Sequence, residues 1–202
     1  LIDAFADPQV AAVGPQLRYP DGGWQRSHGA LPSVPRALAT VLFLDSLGRA
    51  VRAAFETRAG ANPEVRGNID GAFMLIRRSC FDSIGGFDEE FGFYGEDADF
   101  CYRARRAGWR LVLVPAAEVM HVRGASSDGR DLDRARRLLD AETRLVCRRS
   151  GGPGAHIYRL LMTLGYAERM VVYGLLARIR PAARWQSRYE LARARYLAGR
   201  GQ

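Results

Sequence analysis

Residues 71–115, GAFMLIRRSCFDSIGGFDEEFGFYGEDADFCYRARRAGWRLVLVP, decide the fold. Gly71 to Ile76 is a continuous apolar segment between Asp70 and Arg77-Arg78, the pattern of a strand buried on both faces. Ser79 is expected to cap a short helix, with Asp82 three residues on as an imperfect capping box. Gly85-Gly86 should stop that helix. Phe87 to Tyr94 reads as an aromatic and acidic loop. Glu96 to Ala107 reads as a helix with Phe100, Cys101, Ala104 and Ala107 on one face and Gly108 just past its end. Trp109 to Val114 alternates as a strand that ends at Pro115. Strand, helix and strand in alternation predict an α/β layer.

On the N-terminal side, Val10 to Val13 reads as a short buried strand that turns at Gly14-Pro15. Leu17-Arg18-Tyr19 is extended, and Pro20-Asp21-Gly22-Gly23 is a turn. Residues 24–35 read as a loop, Arg36 to Leu47 as a helix ended by Gly48, and residues 56–68 as a surface loop. On the C-terminal side, Val119 to Arg123 is a short extended piece carrying His121. Beyond Gly124 three helices are expected: Asp131 to Arg149, Ile157 to Ile179 and Ala182 to Leu197. Gly151-Gly152-Pro153 and Pro181 separate them.

The chain has 202 residues and is 48% hydrophobic, which excludes wholesale disorder and allows a sizeable core. All 30 basic residues are arginine. That is explained by codon bias or by anion recognition through guanidinium forks, and composition does not separate the two. Residues 1–121 carry 13 Arg against 15 Asp and Glu, and residues 122–202 carry 17 against 7. A near-neutral body with a basic tail points to an anionic partner for the tail. Cys80, Cys101 and Cys147 form no C-x-x-C pair, which fits a reduced, intracellular chain with thiols used as small core residues. No charge-free run reaches the ~18–20 residues of a spanning helix. Leu1 to Phe5 reads as the end of a helix whose start is missing, so a fragment is expected.

Glu96, Asp97 and Asp99 crowd the entry of the helix marked by Gly95. Acids complement a helix N-terminus, and carboxylates there also serve as a general base or bind a polyhydroxyl substrate. His121 is either a structural histidine or one ligand of a metal completed from elsewhere.

Several ordered blocks together carry a resemblance. They are residues 71–78, Phe81 with Gly85 to Glu89, Tyr94 to Arg103, Ala107-Gly108-Trp109 and His121 to Ser127, joined by Val10 to Gly22. In this order they resemble the family 2 inverting glycosyltransferases, most closely a rhamnosyltransferase-like branch of cell-wall and polysaccharide assembly. The resemblance implies the C-terminal half of a GT-A, Rossmann-like α/β domain over residues 1–127. An Arg-rich helical extension follows over residues 128–202. The nucleotide-binding strands and an Asp-x-Asp motif are expected upstream of Leu1. Residue by residue, the resemblance makes Asp97 the catalytic base and has Glu96 orient substrate hydroxyls. It places Asp70 and Gly71 along the sugar pocket and makes His121 a ligand of a divalent metal, Mg²⁺ or Mn²⁺. The partners it implies are a nucleotide-sugar donor and a glycan or lipid-linked acceptor, met at the inner face of the plasma membrane. The competing reading is a non-catalytic membrane- or partner-binding module built on a transferase half.

In the tail, Trp185, Tyr189, Ala192 and Tyr196 share one helical face flanked by arginines. That face either packs on the body or lies on an anionic membrane through residues 157–197. No recognised nucleic-acid motif accompanies the basic charge.

Overall fold

The computed structural model describes residues 1–44, 63–122 and 131–201. The chain divides into two compact units, Leu1–Leu31 with Phe55–Ser126 and Pro32–Ala54 with Ser127–Gln202.

The first unit is mixed α/β and is built around one strand, β1 (Val10–Arg18). Strand β6 (Arg110–Met120) runs parallel to it from Val10↔Arg110 to Arg18↔Met120. The opposite edge of β1 is shared by two short antiparallel partners. They are β2 (Trp24–Gln25), in register Leu17↔Gln25, and β5 (Leu75–Ile76), in register Val13↔Leu75. Strands β3 (His28–Gly29) and β4 (Asn68–Ile69) form a separate antiparallel pair. The α-helices of the unit among the described residues are α2 (Arg78–Ser83) and α3 (Glu96–Arg106). Phe100, Cys101 and Ala104 of α3 pack with Ala11, Ala12, Ile69 and Leu111, as predicted for this face, whereas Ala107, predicted on the same face, is the exposed C-cap. Val10, Val13, Val112 and Val114 form a second cluster with Leu1 and Phe5.

Several expectations for this unit change, and the loop read over residues 24–35 holds β2 and β3. The turn predicted at Gly14-Pro15 is absent, and β1 runs through it. Pro15 brings no N–H to a ladder, and here the register with β6 slips between Pro15 and Gln16, the irregularity at which a strand tolerates proline. Gly14 is needed because a Cβ there would meet Ile69 Cγ2 at 2.5 Å. Strand β6 likewise passes through Pro115 and absorbs the extended piece predicted at Val119. Gly71 to Phe73 is a turn rather than a strand, and only Leu75–Ile76 pairs. Aspartate side chains take the N–H groups of Gly71 and Ala72, which removes them from any ladder. Finally, Ser79 lies inside α2 rather than capping it, because the helix starts one residue earlier.

The second unit is helical. Helix α1 (Val34–Val41) packs with α4 (Asp131–Ile179) and α5 (Ala183–Arg200). Helix α1, which precedes the boundary read at residue 127, packs in this unit, with Ala37 buried in one cluster with Leu139, Tyr158 and Met162. The helix predicted over Arg36 to Leu47 starts two residues earlier and ends sooner, since α1 stops at Val41 and Phe43 has φ 56°; the predicted loop over residues 56–62 lies outside the described residues. Helix α4 has two arms. Gly151 has φ 75° and ψ 175°, and the chain reverses there. Across that reversal Arg159 pairs with Asp140 at 2.6 Å, and Tyr158 Oη donates to Glu142 Oε2 at 2.9 Å. Burial and the Glu142 charge hold the Tyr158 phenol far above its ordinary range. Helix α5 returns antiparallel along the second arm, with Tyr173 stacked on Trp185 and Tyr189 against Gly174. Cys80 and Cys101 are buried as expected, while Cys147 is exposed, so it is no core residue.

Candidate active site

Gly95 opens α3 from the left-handed region at φ 87°, and the preceding Tyr94 also has φ 95°. Tyr94 carries a Cβ, so this conformation costs energy that the surrounding contacts must hold. The result aims the first turn of α3 at the Gly71 turn. Asp97 Oδ2 accepts the Gly71 N–H at 2.9 Å, and Oδ1 accepts the N–H of Ala98 at 2.7 Å. A Cβ on Gly71 would stand 3.2 Å from that of Asp97, so glycine permits the approach. Asp70 Oδ1 accepts from Ala72 N at 3.1 Å.

Burial is the largest influence on Asp97 and lifts it to about 6. The two backbone N–H groups pull it back, and the charges of Glu96 and Asp70 push it further up. Sequence reasoning sets the helix N-terminus against the neighbouring acids, but desolvation outweighs both. Asp97, Glu96, Asp70 and Gly71 are thus brought together. Glu96 Oε2 is buried with no hydrogen-bond partner. Asp99 belongs to a different structure. It is 0% exposed and paired with Arg103 Nε at 2.6 Å, whose other nitrogens donate to the carbonyls of Ile84 and Gly86. This is a brace between α3 and the glycine turn after α2.

His121 lies at the far end of β6, where its N–H bonds to Arg18 O at 2.9 Å. Its ring Nδ1 is 2.8 Å from Gln25 Oε1, and Gln25 Nε2 faces the His121 carbonyl at 3.5 Å. With Nε2 donating to that carbonyl, Oε1 faces the ring, an arrangement that favours the tautomer with the proton on Nδ1. His121 Nε2 is then the nitrogen with the free lone pair, the arrangement of a histidine prepared to bind a metal. Among the described residues no three His, Cys, Asp or Glu side chains stand together as a metal site. His121 therefore fits as one ligand, and the described residues do not make a complete set. Arg123 to Ser127, the remainder of that block, lie outside the described residues.

Sequence reasoning misses Gln16, Gln25 and Ser27, all buried. Gln16 Nε2 donates to the carbonyls of Leu17 and Gln25, and Ser27 Oγ accepts from Leu17 N at 2.7 Å. The Ser27 carbonyl in turn accepts the Asp70 N–H at 2.8 Å. A continuous run of bonds and backbone thus joins His121, through Gln25 and Ser27, to Asp70 and Gly71 beside Asp97. Burial alternates with period two from Gln25 through Leu31, but residue type does not show it. The segment reads as a loop in sequence because the first inward positions are polar or small.

A 137-residue stretch is 37% identical to N-acetylglucosaminyl-diphospho-decaprenol L-rhamnosyltransferase of Mycobacterium tuberculosis (strain CDC 1551 / Oshkosh), covering 64% of this chain and 44% of that protein. Rhamnosyltransferase WbbL of Escherichia coli (strain K12) is 47% identical over 51 residues, 25% of this chain and 19% of its own. O-antigen biosynthesis protein RfbC of Myxococcus xanthus is 29% identical over 128 residues, 62% of this chain and 10% of its own. The chain spans less than half the length of these curated relatives. The family described as Glycosyltransferase like family 2 matches residues 25–139, more than half of the chain, and the chain belongs to that family.

Proposed function

We propose that the protein to which this chain belongs transfers a sugar from a nucleotide donor to a hydroxyl of a glycan or lipid-linked acceptor, with inversion. The observation that carries this reading is Asp97, a part-buried carboxylate held by two backbone N–H groups and lifted to about 6. Above that value it is ionised and able to take a proton, and its basicity is greater than that of an exposed aspartate. Each oxygen has a further lone pair for an acceptor hydroxyl.

The acceptor O–H proton passes to Asp97 as its oxygen bonds to the anomeric carbon. The bond from that carbon to the diphosphate oxygen breaks, and the diphosphate leaves with the electron pair. One displacement inverts the centre and needs no enzyme nucleophile. Asp70 and Gly71 line the sugar side of the reaction, and Glu96 orients hydroxyl groups. His121 Nε2 would be one ligand of a divalent cation, Mg²⁺ or Mn²⁺, and the remaining ligands would be supplied from outside the described residues. Bound there, the cation supplies positive charge for the diphosphate. Gln25 keeps the His121 ring in the tautomer that can bind it. The named activities of the relatives support rhamnose as the sugar and a polyprenyl-diphosphate glycan as the acceptor.

The test is metal-dependent turnover of a nucleotide-sugar panel by the full-length protein, with Asp97→Asn alongside. The expected loss is about 10²–10⁴-fold in kcat with donor binding retained. Unchanged turnover in the variant would remove Asp97 from the mechanism. Absence of donor binding across the panel would favour the non-catalytic module.

A further inference from the structure

The tail face singled out in sequence is not free for a membrane. Ala192 is buried, Tyr189 lies against Gly174, and Trp185 stacks on Tyr173, so that face of α5 is used up on α4. The exposed apolar surface lies on the second arm of α4 instead. Ile157, Leu160, Leu164, Val171, Leu175 and Ile179 are all solvent-exposed, with Leu160 at 68% and Ile179 at 73%. Their spacing of three, four and seven residues places them on one side of the helix, in two runs separated by the half-buried Glu168, which shares that side. The stripe is about 33 Å long at the helical rise. The opposite side is occupied, since Tyr158, Met162 and Arg169 are buried, the first two in the cluster with Ala37 and the third on the Thr40 carbonyl. Monomeric proteins rarely leave an apolar strip of this extent to water.

The stripe ends in uncompensated positive charge. Arg178, Arg180, Arg184 and Arg188 are exposed, and residues 170–189 contain no Asp or Glu. Arg184 and Arg188 lie over the Trp185 ring, and Arg188 also over Tyr173. An apolar face, aromatic rings and guanidinium groups at one end match the acyl boundary and headgroup layer of an anionic bilayer. By length and composition α4 contains one segment able to cross a membrane. Its packing on α1 and α5 along one side suits a helix lying in the interface rather than crossing it. A second copy of the chain is the poorer occupant near Ile179, since that end has no acid to meet the four arginines.

We propose that the Ile157–Ile179 stripe of α4 and the Arg178–Arg188 cluster form a docking surface for an anionic lipid bilayer. The inference stands apart from the catalytic reading of Asp97.

The test is binding of the full chain to vesicles of phosphatidylcholine, with and without about 30% phosphatidylglycerol. Anionic vesicles should bind it at least about tenfold more tightly, and raising salt from about 0.05 to 0.5 M should weaken binding strongly. Leu164→Gln with Leu175→Gln should weaken binding to anionic vesicles at least about tenfold. Arg180→Gln with Arg184→Gln should do so by about fivefold per arginine. These side chains are exposed, so circular dichroism should show both variants folded. Equal binding by folded variants would overturn the proposal. So would a dimer that Leu164→Gln with Leu175→Gln abolishes, in a chain that binds neither vesicle.

Discussion

The two units break the ordinary rule of burial in opposite directions. In the α/β unit polar side chains are inside: Gln16, Gln25, Ser27 and Asp99 are all buried, and each has a partner. In the helical unit large apolar side chains are outside, along one side of α4. Buried polar groups carry a desolvation cost that only well-placed hydrogen bonds offset, so they fix geometry. Exposed apolar groups contribute nothing to the fold and await a second surface.

Substitutions that reverse each anomaly test that contrast, and the largest effect is expected at Asp99. Asp99→Ala leaves Arg103 half-buried beside two carbonyls, and chemical denaturation should show a loss of about 3 kcal/mol. Asp97 should behave in the opposite sense. Its folded value near 6 lies above the ordinary 3.8, so the folded chain holds the proton more tightly than the unfolded chain does. Ionisation therefore subtracts stability as pH rises from about 4 to 6, and the loss is complete above the folded value. The amide introduced by Asp97→Asn does not ionise. Relative to the unsubstituted protein, the variant should gain roughly 2 kcal/mol between about pH 4 and pH 7.5, whatever constant offset its amide brings. A flat difference across that range would show that Asp97 is not desolvated.

A smaller change is expected at Gln25. Gln25→Leu removes the acceptor from His121 Nδ1, and ¹⁵N spectra of the imidazole should show both tautomers where one dominated. Gln25→Glu should restore the Nδ1–H form. Divalent-metal affinity of the full-length protein should fall about tenfold in the leucine variant. The smallest effect belongs to the helical unit. Leu160→Gln should leave the unfolding free energy within about 0.5 kcal/mol of the unsubstituted protein. A larger loss would mean that the stripe is part of the fold.

Much of this was legible in the sequence, for identifiable reasons. Helix α3 carries both a 3.6-residue apolar period and a glycine stop, so its extent and its buried face could be read. The Gly151 break was readable because glycine and proline punctuate an otherwise periodic stretch. The Gly71 turn was misread because its residues are apolar, while the groups that bend it, Asp70 and Asp97, lie outside it and in part 26 residues away. Strand β1 was cut short because Gly14-Pro15 is a turn signal locally and a close contact with Ile69 in the fold. Family resemblance singled out Asp97, Glu96, Asp70 and Gly71, which the fold brings to one place, but it did not single out Gln25. Its role exists only once β2 is laid beside β1 and β6.

The pairing of β1 with β6 also fixes an order of events during synthesis. Val10 waits for Arg110, and Arg18 for Met120, so one edge of the central strand stays open until about a hundred further residues have been made. At about 5–20 residues per second that interval is roughly 5–20 s. Throughout it a nine-residue, largely apolar strand is available to any other extended chain. The nascent polypeptide is thus most exposed to aggregation before β6 emerges, and the histidine end of the site is among the last parts of its unit to form.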